Sequence, residues 1–300
     1  MKLFRFLFLL AFPIFAQSVL VIKSEKVTSA EDGIFFYPKF ISNSQIVFTS
    51  PKYKGLWLKN SDSGITELNN YNGAGYDFQY SSTDKSLLYR VDKFVDGLRF
   101  TDLIKHNLID NSTEIIQKDL RNVQLPKYQK SSTIGYVNQN GIVKVETLAK
   151  NNLAGISVTA DAEGIHLFIG EKEKTLKPLG DGNYIWSSVS PDGEKILFNF
   201  PGKGSYVCDL SGRLLFKVGF ANYPTWSRDG NWIVYMKDFD NGSEITGSDI
   251  YIKKYLGKAE FNLTNTEDII ELYPSYSQYA DEILYNTADG IIYKLSLKFN

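Results

Sequence analysis

The residues best suited to chemistry in this sequence are few and scattered. There are two histidines, His106 in "LIKHNLI" and His166 in "GIHLFI", both in strand-like runs and in different repeats of the pattern described below. A transition-metal centre gathers several His, Cys or carboxylate ligands. Two separated histidines do not supply one, so both read as structural strand residues. Cys208, in "SYVCDL", is the only cysteine. No intramolecular disulfide can form, and apolar neighbours make it a small buried hydrophobe. The stretch "DFDNGSEITGSD", Asp238 to Asp249, invites a calcium test. An EF-type loop wants oxygen ligands at positions 1, 3 and 5, Gly at 6 and Glu at 12. Here the glycine falls one place early and one oxygen ligand is missing. Asp238, Asp240 and Asp249 are therefore a weak Ca²⁺ candidate, and a solvated loop is the plainer reading. No cofactor is expected. The sequence holds no G-x-S-x-G elbow, Walker loop or dinucleotide-binding glycine pattern. "GAG", Gly73 to Gly75, reads as a connecting loop.

What remains is a set of aromatics. Tyr37, Phe78, Trp186, Tyr223 and Tyr273 stand at comparable places in five copies of one phrase. A ring of such side chains, most with polar tips, could hold a peptide, a glycan or a protein loop. The competing reading is that they pack between repeats.

The phrase itself sets the fold. "YPKFISNSQIVFTS" starts at Tyr37, "YPTWSRDGNWIVYMKD" at Tyr223 and "YPSYSQYADEILYNT" at Tyr273. Each ends in a short apolar run, and similar runs end at Phe48, Tyr89, Phe198, Tyr235 and Tyr285, with a weaker one at Tyr136. Spacings of roughly 40–60 residues between short β runs point to a propeller, one blade per repeat. Within the repeat from Tyr223, "YPTWS", "WIVYMK", "DIYIKKY" and "AEFNLT" read as four strands, with Asp229-Gly230 as the first hairpin turn. One blade buries neither face by itself, so each must present the same apolar surface to the next. Six anchors predict six blades. "GIHLFIG", ending at Gly170, is the place where a seventh would fit, but the room there suits one long, irregular third blade. The last repeat has only three strands, and "SVLVIKS", Ser18 to Ser24, is a spare strand that would complete it and close the ring.

The bulk numbers agree. With 43% hydrophobic and 14% aromatic residues in 300, a large all-β core is affordable. The formal net charge of −1, without blocks of like charge, gives no support to a nucleic-acid partner or an anionic membrane surface. The first residues are separate: Lys2 and Arg5 precede the apolar run "FLFLLAFPIF", then Ala16. That reads as a signal peptide, 1–16, cleaved to leave one domain, 17–300. The run is about half the ~20 residues of a spanning helix, so no integral membrane segment is expected after cleavage.

"SPDGEKILF", from Ser190, and "WSRDGNWIVY", from Trp226, resemble the Trp-Ser-Pro-Asp-Gly repeat of TolB-like six-bladed propellers. "SDIYIKK" followed by "FNLT" is similar to the strand pair that comes next in that family. The resemblance implies an exported bacterial propeller, periplasmic or at the cell surface, and implies no catalytic residues. The expectation is a non-catalytic binding or scaffold protein with a protein or peptide partner, a glycan being the other ligand class. A carbohydrate lyase or hydrolase using carboxylates in the central channel is the first alternative; a small-ligand sensor is the second.

Overall fold

The computed structural model describes residues 18–129, 133–138, 140–144, 155–170 and 172–300. The expected signal peptide lies outside the described residues. Six four-stranded antiparallel sheets follow one another along the chain, each ordered from its inner strand outward. Blades 1 to 5 span residues 36–69, 79–120, 127–176, 185–219 and 222–262; blade 6 contributes Glu271–Tyr276, Glu282–Thr287 and Ile292–Phe299. Its fourth strand is Val19–Lys26, paired antiparallel with Ile292–Phe299 from Val19 opposite Phe299 to Lys26 opposite Tyr293. The ring is thus closed by the N-terminal strand, and the blade count is six, not seven.

The repeated phrase acts locally in a way its residue types explain. In "WSRDG", the Ser227 hydroxyl donates to Asp229 at 2.6 Å and accepts from the Trp232 amide at 2.9 Å. Asp229 accepts from the Asn231 amide at 3.0 Å, and Gly230 takes a φ of 70°. Serine, aspartate and glycine therefore build the tight turn that carries the inner strand into the second strand. Between blades, apolar side chains alternate along the strands and interlock. Trp226, 4% exposed, lies in the seam between blades 4 and 5 with Leu197, Val207, Ile233 and Tyr235. Cys208 is buried in the seam between blades 3 and 4, and burial pushes its thiol up to about 12.

Two readings of the sequence need correction. Tyr136 does not anchor the second strand of blade 3. It lies on an inserted hairpin, Gly135–Asn138 paired with Gly141–Lys144, while the blade's second strand is Ile156–Ala160 and "GIHLFI" forms its third. The insertion imitates a strand because it too alternates a buried face, with Ile134 and Tyr136 packed on Leu88 and Leu103 of blade 2. Secondly, the stretch read as a polar loop in blade 5 is mostly paired. The strands run Trp232–Asp240 and Ile245–Lys254, in register from Trp232 opposite Lys254.

Candidate functional site

The inner strands carry an irregularity that aims side chains at the axis. In blades 1, 4, 5 and 6 the register slips by a bulge near the strand's start. The residue in the bulge takes a left-handed conformation: Tyr37 (φ 53°), Trp186 (52°), Tyr223 (50°) and Tyr273 (55°). Large side chains avoid this region, and each such position costs of order 1 kcal/mol or more. A following Pro, or Ser187 in blade 4, returns the chain to the ladder. In blade 2 the left-handed residue is Asp77 (φ 51°). Phe78, the residue expected from sequence, is one place further on and buried in the seam between blades 1 and 2. In blade 3, aligned through Lys127 opposite Val158 and Gln79 opposite Leu88, the position is Leu125.

The aromatics converge. Tyr37 is flanked by Tyr273 (ring centroids 4.2 Å apart) and Tyr53 (4.8 Å, stacked), and Tyr223 meets Tyr273 at 5.3 Å and Trp186 at 5.8 Å. The Tyr53 hydroxyl donates to that of Tyr37 at 2.9 Å. Burial and then its hydrogen bonds to Tyr273 and Tyr53 push the Tyr37 phenol far up, so it stays neutral.

This cluster forms one wall of a funnel of about 910 Å³ that opens toward blades 1 to 4. Tyr37, Trp186 and Tyr223 line it; Tyr273 packs behind them. The other walls come from Lys52 and Tyr53 of the turn Pro51–Tyr53, Tyr76 and Asp77 of the connection to blade 2, Arg90, Asp92, Phe94 and Arg99 of blade 2, and Asp161 of blade 3. Below the funnel a smaller cavity of about 300 Å³ continues along the axis, and Lys39, Asp77, Lys127, Trp186 and Tyr223 line both. They form the constriction.

The charges are specifically arranged. Lys39 donates to the Phe78 carbonyl at 3.3 Å and lies over its ring, 4.5 Å from the centroid. Burial, opposed by Asp77 and aided by Lys127, lowers its ammonium to about 8. Asp77 pairs with Lys127 at 3.8 Å. The Asp77 carboxylate, and then burial, push the Tyr76 phenol up. Arg90, 7% exposed, lies over the Tyr76 ring at 4.4 Å and reaches Asp92 at 3.3 Å. Asp92 also accepts from Thr101 at 2.8 Å. Asp161 contacts His166 Nε2 at 3.0 Å and accepts from Gln124 at 3.2 Å. Burial works against it, but His166 and the Glu163 amide hold its carboxyl below the ordinary value.

The remaining sequence candidates do not gather. His106, on blade 2, contacts Asn111 at 2.7 Å, and His166, on blade 3, is held by Asp161 and Glu173. In the blade 5 hairpin Asp238 stands opposite Ser248 and Asp249 opposite Lys237, which puts the two carboxylates on opposite faces. Asp238 accepts from Asn222, and Asp249 from Asn262 and Thr264. Among the described residues no group of three or more His, Cys, Asp or Glu could hold a metal ion. Lys39, Tyr53, Tyr76, Asp77, Arg90 and Lys127 were missed from sequence. Only the repeat alignment could have found two of them, Lys39 and Asp77, by their distance from the apolar anchors.

Fold and site together define a six-bladed β-propeller with an off-centre axial funnel. No protein-family model matches the sequence, and comparison with curated proteins finds no match. Among solved structures the chain is similar to the β-propeller domain of Myceliophteria thermophila Cps50 (Swd1), with a TM-score of 0.62 and 9% identity over 93% of this chain and 99% of that one. It is also similar to the WD40 propeller domain of Doa1, with a TM-score of 0.56 and 13% identity over 93% and 97%. TolB from Acinetobacter baumannii aligns at a TM-score of 0.45 and 12% identity over 88% of this chain, which spans 56% of that one. At these identities the likeness establishes the fold alone. No helix among the described residues is long and apolar enough to cross a membrane.

Proposed function

We propose that this propeller is a non-catalytic binding protein that takes a peptide segment of a protein partner into its axial funnel. The observation that carries this reading is the state of the three carboxylates that line the funnel among the described residues. Asp77 is paired with Lys127, Asp92 with Arg90 and Thr101, and Asp161 with His166 and Gln124. Glycoside chemistry needs one carboxylic acid kept protonated near neutral pH and a second carboxylate facing it. Among the described residues, Glu271 is the carboxyl whose pKa is raised strongly, to about 7, and it lies outside the funnel lining. A saccharide platform is also disfavoured, because Tyr37 spends its ring faces on Tyr53 and Tyr273. What the funnel offers instead is hydroxyl and cationic groups on aromatic walls, the mixture that suits a peptide.

The test is retention of a partner from an envelope extract by the full chain, run beside Tyr223→Ala. A partner held by the parent and lost by a Tyr223→Ala protein of unchanged melting temperature supports the reading. Equal retention by both places binding elsewhere. The envelope is chosen because the basic, apolar N-terminal stretch and Ala16 support export. Mass spectrometry of the native protein should then find a chain beginning near Gln17 or Ser18, and an intact Met1 would overturn it.

A further inference from the structure

We infer that the floor of the funnel is a carboxylate-recognition site: the bound peptide presents an acidic side chain or its C-terminal carboxylate to Lys39 and Arg90. The inference rests on the funnel reading above and names the chemistry of the ligand. Five cations, Lys39, Lys52, Arg90, Arg99 and Lys127, line the funnel against the carboxylates Asp77, Asp92 and Asp161. Among the described residues, Lys39, Lys52 and Arg99 make no ion pair with a carboxylate. Lys39 stands at the constriction. An ammonium carries three donors, and the Phe78 carbonyl engages one of them. The walls that strip water from Lys39 make a free ammonium costly, and an arriving anion offsets that cost.

Arg90 carries the second part of the argument. Its place on the second strand is the one that in blades 4, 5 and 6 serves the start of the next blade's inner strand. Asn286 of blade 6 accepts from the Tyr37 amide at 3.0 Å, Met236 of blade 5 from the Tyr273 amide at 3.5 Å, and Asn199 of blade 4 donates to the Ala221 carbonyl at 3.1 Å. Arg90 is excused from this duty. It turns back onto Tyr76 and Asp92, lines the funnel, and leaves its buried Nε without a hydrogen-bond partner among the described residues. A buried guanidinium N–H without an acceptor is costly, and a small turn of the side chain toward an arriving carboxylate would satisfy it. A carboxylate suits the site better than a phosphate, because its two oxygens match the two donors on offer, the Lys39 ammonium and the Arg90 Nε.

The experiment uses the full chain and three C-terminally amidated hexapeptides alternating alanine with glutamate, glutamine or lysine, read by the fluorescence of Trp186 and its fellow tryptophans and by calorimetry. The glutamate peptide, or the glutamine peptide with its C-terminus left free, should bind at least about tenfold more tightly than the amidated glutamine one, as expected for charge-assisted hydrogen bonds. Lys39→Met should erase most of that preference, and Lys39→Arg should keep it. Parent affinity should fall as pH rises through about 8 and the Lys39 ammonium is lost. The charged groups acting on Lys39 are Asp77 and Lys127, and the phenols of Tyr37 and Tyr223, which share its lining, are both pushed up beyond that range. The pH response should therefore be absent in Lys39→Arg. Repeating the titration with free C-termini separates the two sources of carboxylate. An amidated glutamine peptide that binds as well as the amidated glutamate peptide and the free-acid peptides, with Tyr223→Ala weakening all of them, overturns the carboxylate site and leaves the peptide reading standing. A phosphoserine peptide that binds tenfold more tightly than the glutamate one assigns the floor to phosphate instead. Failure of every peptide to bind overturns both.

Discussion

The seam between blades 5 and 6 and the seam between blades 2 and 3 are built on opposite plans. The first is a continuous interlock: Trp232, Val234, Ile250 and Ile252 of blade 5 pack on Leu272, Tyr276, Ile283 and Tyr285 of blade 6. In the second, Leu88 and Leu103 of blade 2 meet Val123, Leu125, Ile134 and Tyr136, which come from the connection and the inserted hairpin and not from the four strands of blade 3. On blade 3 itself Ser157 and Thr159 are buried with hydroxyls that find no hydrogen-bond partner among the described residues. The same sector is where the axial aromatics give way to Asp77 and Leu125. Regular seams hold the ring; the irregular one makes room for the funnel. A propeller of six equal blades with a large aromatic at every axial position would crowd its own mouth.

This comparison can be broken at several points. The largest effect should come from the closure. A chain starting at Ala30 lacks the strand Val19–Lys26 and leaves a long edge on blade 6. It should lose much of the roughly 5–15 kcal/mol that keeps a domain folded. A melting temperature and solubility equal to the parent's would mean that the regular side does not depend on its outermost strand. Next is Trp226→Ala, which empties a large aromatic from the seam between blades 4 and 5 and should cost about 3–5 kcal/mol in denaturant melts. Tyr223→Ala should cost clearly less, since Tyr223 is only partly buried and borders the funnel.

Glu271 makes the regular side sensitive to pH. It is fully buried at the start of blade 6, with one oxygen on Thr266 at 2.7 Å and the other without a hydrogen-bond partner among the described residues. Burial, reinforced by Asp249, raises its pKa from 4.5 to about 7. The folded state therefore holds this proton more tightly than the unfolded chain does. The stabilisation is complete below about pH 4.5 and is lost as pH rises to about 7, up to about 3 kcal/mol in all. Glu271→Gln should flatten that part of the stability profile, and an unchanged profile would assign the titration to another group. The smallest effect is expected at Tyr136→Ala, about 1–2 kcal/mol, because the hairpin seam can relax around the loss. A cost equal to that of Trp226→Ala would erase the distinction between the two seams.

The fold was legible because seams are periodic. Every regular blade must repeat the apolar faces that its neighbours need, so "IVF", "ILF" and "IVY" recur and can be aligned. The closing strand was legible as the complement of a three-stranded repeat. The irregular sector was misread for the same reason. Tyr136 alternates like a blade strand because it buries one face on blade 2, and only the pairing partner reveals the insertion. At Asp77 the phrase loses its proline and its aromatic together, and Phe78 supplied the nearest aromatic one residue late. The floor of the funnel was hidden for a different cause. Lys39, Arg90 and Lys127 come from three blades, each as a single charge among ordinary strand residues, and nothing local marks them. Arg90 becomes informative only when its counterparts Asn199, Met236 and Asn286 are seen to be occupied elsewhere.

The closure also has a consequence in time. Val19–Lys26 and its partner Ile292–Phe299 lie at opposite ends of the propeller's sequence. Blades 1 to 5 are built from near neighbours in sequence, so each can form from local pairings. The strand Val19–Lys26 cannot. It must stay unpaired until blade 6 is in place, with its backbone donors and acceptors open to any strand edge nearby. The contact that completes the ring is therefore the one with the longest wait, and the slowest step of folding should be a search by the two ends for each other.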